Sequence, residues 1–152
     1  MAEEQLVTFR LGTEEFGIDI MMVQEIIRIP PITRVPQAPY YVEGVINLRG
    51  NVISVVNLRA RFGLPNGHFG AEEESQNRII VVKGKEREFG IRVDSVSEVL
   101  QLPDTAIEPP PSVAVGIDAS FIRGLGKAGD RLIVLLNLGN VLRAVKEGEA
   151  SA

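Results

Sequence analysis

The stretch Glu15-Phe16-Gly17-Ile18-Asp19-Ile20 determines the fold class of this sequence, because a second version of it stands in the other half of the chain. The second version is Glu88-Phe89-Gly90-Ile91-Arg92-Val93. Each version alternates apolar and polar residues around a glycine, a pattern that predicts a β-strand with one buried face. Glu, Phe, Gly and Ile recur in the same order, which indicates an internal duplication.

The duplication extends over most of each half. Residues 41–44 match residues 121–124, and residues 52–58 match residues 132–138. A segment rich in Pro and Gly, residues 64–70, separates the halves and interrupts regular structure. We therefore treat each half as one structural module within a single domain.

The first module covers about residues 5–64 and the second about residues 78–147 of the 152-residue chain. Modules of this size bury too little apolar surface to be very stable alone. We therefore expect the two modules to pack on a shared core. Strands of one module could also pair with strands of the other.

Short alternating segments joined by tight turns predict an all-β barrel fold with short helices. Gly50-Asn51 separates two strand-like segments, and a glycine at the first loop position predicts a type II′ hairpin turn. Near the C-terminus, apolar residues recur at helical spacing and predict one short amphipathic helix. These residues are Leu138, Val141, Leu142 and Val145.

The composition argues against nucleic acid, catalysis and cofactors. There are 16 basic and 20 acidic residues, whereas a duplex-binding domain usually has a basic surplus. The chain has no cysteine, and its one histidine, His68, lies in the linker, so no metal or acid–base set is expected. Residues 124–129 spell G-x-G-x-x-G, but a strand-like segment follows instead of a helix, which favours a hairpin over a dinucleotide site.

The sequence shows no targeting or membrane-spanning segment. The N-terminus has no secretory signal, and the longest apolar run, residues 132–136, is far shorter than the roughly 20 residues that span a bilayer. We expect a soluble cytoplasmic protein.

Nearly the whole chain resembles the CheW family of chemotaxis coupling proteins. The resemblance is carried by residues 12–26, which include the first Glu-Phe-Gly-Ile motif, and by Gly44-Val45-Ile46-Asn47-Leu48-Arg49-Gly50. Gly124-Leu125-Gly126 followed by residues 130–135 completes it. The resemblance implies two small five-stranded SH3-like or OB-like barrels packed on a shared core.

The resemblance also implies a non-catalytic scaffold with two kinds of partner. These are the cytoplasmic tips of methyl-accepting chemoreceptors and the regulatory domain of the chemotaxis histidine kinase CheA. Such a scaffold needs no cofactor or metal and no direct membrane contact, and it would lie at receptor arrays near the inner face of the membrane.

The candidate site residues form two sets. We expect Glu25 and Arg49 to interact and shape the surface that partners contact. The candidate receptor contacts are Val23, Glu25, Ile27, Arg49, Ile79 and Val99. The candidate kinase contacts are Gly44, Val45, Asn47 and Leu48. Position alone favours core packing for the apolar receptor candidates, a solvated role for the charged ones and a turn requirement for Gly44.

Two other classes of function remain as alternatives. A barrel that binds nucleic acid or oligosaccharide would need a basic or aromatic face, but aromatic residues make up only 5% of the chain. A small enzyme would need the acid–base groups that the sequence lacks.

Overall fold

A computed structural model describes residues 2–64, 71–84, 87–110 and 118–143. His68 and Val145 lie outside the described residues. The strands are β1 (Glu3–Leu11), β2 (Glu14–Asp19), β3 (Val23–Arg28), β4 (Val42–Leu48), β5 (Asn51–Asn57), β6 (Arg78–Lys83), β7 (Glu88–Val93), β8 (Ser95–Pro103), β9 (Ile107–Glu108), β10 (Ile122–Ala128) and β11 (Arg131–Leu136). The short helices are α1 (Leu58–Arg61), α2 (Ala71–Glu74) and α3 (138–143), with 3₁₀ turns at Ile20–Met22, Asp104–Ala106 and Ala119–Phe121.

The strands form two sheets, and the predicted all-β class with short helices is confirmed. The six-stranded sheet has the order β8-β1-β2-β11-β10-β9, and the five-stranded sheet has the order β3-β6-β7-β5-β4. Each sheet therefore contains strands from both halves of the sequence.

The parallel pairings occur in the same register in both sheets. Phe16 of β2 lies beside Val134 of β11, and Phe89 of β7 lies beside Ser54 of β5. The sequence repeat aligns Phe16 with Phe89 and residue 54 with residue 134, so the two ladders are equivalent. Each ladder joins a strand of the first half to a strand of the second.

The antiparallel pairings at the sheet edges repeat in the same way. Val7 of β1 pairs with Val99 of β8, and Ile80 of β6 pairs with Ile26 of β3. Both ladders contain a register shift, next to Thr8 in one and between residues 23 and 25 in the other. The duplication thus includes the irregularities of the strands as well as their order.

Three apolar cores follow from the alternation of side chains along these strands. The large core between the sheets includes Phe9, Phe16, Ile18, Ile80, Phe89 and Ile91. A smaller core on the other face of the five-stranded sheet includes Ile46, Ile53, Val55, Ile79 and Val81. Its counterpart in the six-stranded sheet includes Leu6, Leu102, Ile133 and Leu135. Two small cores flanking a shared one are what two packed barrels require.

The glycine of the repeated motif is required by these small cores. A Cβ atom on Gly17 would lie 3.2 Å from the Ile133 Cγ2 atom, and one on Gly90 would lie 2.8 Å from the Ile79 Cγ2 atom. Side chains of the small cores thus pack directly on the backbone at both glycines, which explains a glycine within a strand.

The turn between β4 and β5 differs from the predicted one. The turn residues are Arg49 and Gly50, with φ angles of 52° and 88°, and Asn51 already belongs to β5. Positive φ at both central positions is typical of a type I′ turn, so the predicted type II′ turn at Gly50-Asn51 is wrong. The prediction missed it because Arg is uncommon at positive φ.

We expect Phe16→Ala and Phe89→Ala to destabilise the protein by similar amounts, about 3–5 kcal/mol each. Both rings are buried in the shared core at equivalent positions. Urea denaturation measures the difference in unfolding free energy, and Val52→Ala is the control because Val52 is 73% exposed. A loss below about 1 kcal/mol at either phenylalanine would contradict the duplicated core.

Candidate functional site

An ion pair joins the two edge strands of the five-stranded sheet. Glu25 lies on β3 and Arg49 in the turn after β4. The Arg49 Nη1 atom donates to the Glu25 Oε1 atom at 3.2 Å, and Nη2 bonds Oε2. The expected interaction between the two residues is therefore present, in a bidentate form that fixes their relative orientation.

The pair is accessible to a partner. The Arg49 side chain is 67% exposed. The hydrogen bond from Arg49 holds the pKa of Glu25 below its ordinary value, against a smaller opposing effect of desolvation, and the same bond raises the pKa of Arg49. Both groups remain charged at neutral pH and present a fixed dipole at the surface.

Arg49 adopts a backbone conformation that non-glycine residues rarely adopt. Its φ of 52° lies in the left-handed region, where Gly, Asn and Asp are far more common. Residues held there against their preference are concentrated at functional sites. This outlier supports a functional role for the arginine.

The equivalent glutamate in the second half has a structural partner instead. Glu98 bonds Arg131 at 2.6 Å, and Arg131 also bonds the buried Glu15 at 2.5 Å. Its hydrogen bond to Glu15, and then its hydrogen bond to Glu98, raise the pKa of Arg131. These bonds tie together β2, β8 and β11.

The apolar receptor candidates are divided between the sheets. Val23 and Ile27 lie partly buried on β3, near Glu25 along the chain. Ile79 is fully buried in the small core and packs on Gly90, so its role is packing. Val99 is 57% exposed, but it lies on β8 at the edge of the other sheet.

The kinase candidates all lie at the β4–β5 hairpin, but only Asn47 is prominently exposed. Gly44 has φ 153°, and a Cβ atom there would lie 2.2 Å from the Thr33 carbonyl oxygen, so glycine is needed for backbone packing. Val45 exchanges two backbone hydrogen bonds with Thr33, at 2.8 and 2.9 Å, and Leu48 packs against the small core.

Asn47 and its cross-strand neighbour are both exposed on this hairpin. The Asn47 Oδ1 atom accepts a hydrogen bond from the Gly50 N–H at 2.9 Å, which braces the turn. Val52 pairs with Asn47 and is 73% exposed. Sequence reasoning missed Val52, although an apolar residue beside a tight turn was a signal for it.

An apolar groove of about 600 Å³ lies where the five-stranded sheet meets α3. Met22, Lys83 and Phe89 form one wall, and Leu138, Asn140, Leu142 and Arg143 form the other. Lys83 and Arg143 are exposed, so the groove combines an apolar floor with two cations.

The duplication explains why the groove is open. Gly84 and Gly139 line it, whereas the equivalent positions in the other half are Leu11 and Arg59. Leu11 is buried, and Arg59 bonds the Asp94 carboxylate at 2.5 Å. Gly139 thus leaves space where the other half has a large side chain, and at Gly84 the Phe89 ring packs on the backbone, 2.6 Å from where a Cβ atom would lie. This difference between the copies was the sequence signal for the groove.

Within the described residues, no group of His, Cys, Asp and Glu is arranged to hold a metal, and no helix could span a membrane. The G-x-G-x-x-G stretch lies in the β10–β11 hairpin, as its sequence context predicted.

Comparison with known proteins gives a consistent family assignment. The sequence model of the CheW-like domain matches residues 5–146. Chemotaxis protein CheW of Rhizobium meliloti is 41% identical over 147 residues, which cover 97% of this chain and 92% of that protein. CheW of Treponema pallidum is 35% identical over 88% of this chain and 79% of that protein. The crystal structure of the scaffolding protein TtCheW from Thermoanaerobacter tengcongensis aligns with a TM-score of 0.85 and 35% identity, covering 93% of each chain.

We expect Arg49→Asn to raise the pKa of Glu25 toward its ordinary value and to leave the melting temperature nearly unchanged. The lowered pKa means that the pair stabilises the fold above the ordinary carboxyl pKa and loses this effect as the pH falls through the lowered value. The effect on stability is small because the pair is exposed, and Asn tolerates positive φ. NMR titration of Glu25 provides the measurement, and Arg34→Asn is the control. An unchanged Glu25 pKa would show that the pair does not form in solution.

We expect Gly44→Ala to destabilise the protein by more than about 1 kcal/mol, because the new methyl group would overlap the Thr33 carbonyl. Thermal unfolding measures the loss, and Val45→Ala is the control because its side chain is partly exposed. A Gly44→Ala protein as stable as the control would show that backbone packing does not require this glycine.

Proposed function

Because this chain belongs to the CheW-like domain family, we propose that it couples transmembrane chemoreceptors to the chemotaxis histidine kinase CheA and allows receptors to control the kinase. Members of the family are chemotaxis scaffold proteins, so the chain is an adaptor and not an enzyme. This assignment favours the scaffold over a barrel that binds nucleic acid or oligosaccharide.

The observation that carries the proposal is the apolar groove beside α3. Its volume and its apolar lining suit a helix that inserts side chains at i, i+3 and i+4. Met22 leads directly into Val23 and Glu25 of β3, so the candidate receptor contacts continue from the groove. Lys83 and Arg143 would favour acidic residues on the receptor helix.

The β4–β5 hairpin is the proposed kinase surface. It presents Asn47 and Val52 to solvent, and Val45 and Leu48 support them from within the sheet. None of the described residues that line the groove belongs to β4 or β5. Separate surfaces would allow a receptor and a kinase to bind the same molecule.

Glu25 lies on β3 beside the candidate receptor contacts, and Arg49 lies in the turn of the β4–β5 hairpin, so the pair joins the strands that carry the two surfaces. A bidentate pair at this position would set the distance between β3 and the β4–β5 turn. We therefore assign the pair to the receptor side of the adaptor, as a contact and as a brace.

Receptor binding would place the adaptor at arrays near the inner face of the membrane, without direct contact with lipid. Each contact alone is expected to be modest, about micromolar, because linked contacts in an array add to one another.

We expect Met22→Glu to weaken binding of a soluble receptor fragment about tenfold or more and to leave binding of the CheA regulatory domain unchanged. Val52→Glu should do the reverse. A charge in the groove opposes burial of the apolar side of a receptor helix. A charge on the hairpin affects only the contact with the kinase domain. Titration calorimetry with each partner measures both constants, and circular dichroism checks folding.

Two results would contradict this proposal. One is competition between the receptor fragment and the regulatory domain for the wild-type protein. The other is a folded variant that loses both partners equally. Val35→Glu serves as a control, because Val35 is exposed and lies outside both surfaces.

A further inference from the structure

Arg61 makes three contacts at the junction of the two halves. Its guanidinium carbon lies 4.5 Å from the ring centroid of Tyr41 and 4.6 Å from that of Phe121. Its Nε atom donates to the Val141 carbonyl oxygen at 2.9 Å. Tyr41 belongs to the first half, and Phe121 and Val141 belong to the second.

The two rings are equivalent in the duplication. The Tyr41 carbonyl accepts from the Asn57 N–H and the Phe121 carbonyl accepts from the Asn137 N–H, both at 2.8 Å. Arg61 contacts both of these rings, so one side chain links the equivalent aromatic residues of the two halves.

The duplication is broken at Arg61 itself. The repeat that matches residues 52–58 with 132–138 also aligns residue 61 with residue 141, which is a fully buried valine. An apolar residue therefore fills this position in one half. In the other half an arginine extends to the backbone of its own counterpart, a contact that core packing alone does not require.

The hydrogen bond from Arg61 reaches the helix that forms one wall of the groove. Leu138, Asn140, Leu142 and Arg143 of α3 line the groove, whereas Val141 does not. The Asn137 Oδ1 atom accepts from the Asn140 N–H at 3.1 Å and holds the start of α3. Arg61 holds the same short helix from behind, without touching the groove.

We propose that Arg61 is a positioning residue that sets the place of α3 relative to the five-stranded sheet and thereby the width of the groove. The consequence for receptor binding rests on the function proposed above. The position of α3 does not, because it follows from the contacts of Arg61 alone. An arginine suits this role because its planar guanidinium can stack on aromatic rings while Nε donates a directed hydrogen bond. A lysine keeps the charge and loses both the plane and that donor.

The position of α3 can be measured without any partner. The chain has no cysteine, so pairs of introduced cysteines can carry spin labels with no background. A pair at Val52 and Arg143 measures the distance from the five-stranded sheet to α3. A pair at Val52 and Ile26 lies within the sheet and serves as the internal control, because these side chains are exposed.

We expect Arg61→Met and Arg61→Lys each to broaden or shift the distance distribution between residues 52 and 143 and to leave that between residues 26 and 52 unchanged. Arg28→Met should change neither distribution, because Arg28 is an exposed arginine on β3. If α3 keeps its wild-type distance in a folded Arg61→Met protein, the proposal is overturned. If both Arg61 variants fail to fold, it is also overturned, since Arg61 would then be a general determinant of stability.

Binding measurements separate this proposal from the proposed function. Arg61→Lys should weaken binding of the receptor fragment about three- to tenfold, as expected for a residue that acts on a site without touching it, and should spare the CheA regulatory domain. If the distance between residues 52 and 143 changes but the affinity for the receptor fragment stays at the wild-type value, the claim that Arg61 sets the shape of the groove is overturned. If the wild-type protein binds no receptor fragment, the proposed function fails, and the distances alone decide the role of Arg61.

Discussion

Neither half of this chain can complete a sheet without the other, because β2 pairs with β11 and β7 pairs with β5. Every other feature depends on this crossing of strands. It places Phe16 and Phe89 on one shared core and brings the glycine of each motif against a small core. The crossing also brings α1 and α3 close enough for Arg61 to join them. A duplicated chain becomes one domain because its hydrogen-bond ladders connect the two copies.

The duplication acts as an internal comparison that separates structural features from specialised ones. Features shared by the halves, such as the motif glycines and the asparagines that begin α1 and α3, maintain the fold. Features present in one half alone include the exposed Glu25–Arg49 pair, the groove beside Gly139 and the arginine at position 61, and the proposed receptor site is built from these. The adaptor thus arises from differences between two similar modules.

Much of the fold could be predicted from the sequence, because Glu-Phe-Gly-Ile recurs within alternating strands. The contact of Glu25 with Arg49 was also predictable, but from family resemblance and not from spacing. The complete burial of Ile79 was not predictable, because β6 is buried on both faces and its sequence therefore shows no polar side. The groove was harder to predict, because its lining comes from three segments that are distant in sequence. It also depends on a glycine, Gly139, at a position where the other half has Arg59. The turn at Arg49 could not be predicted, because arginine rarely adopts positive φ and local sequence rules only describe what residues usually do.

The crossing of strands also has a consequence for synthesis on the ribosome. β2 pairs with β1 in the first half, but its second ladder partner is β11, which is translated after all the other described strands. β1 likewise waits for β8 as its second partner. Pairings so distant in sequence form slowly and leave strand edges exposed meanwhile. The first half therefore emerges with β1, β2, β3 and β5 each lacking a partner that they have in the folded protein. The free edge of β2 stays exposed until Leu136 leaves the exit tunnel.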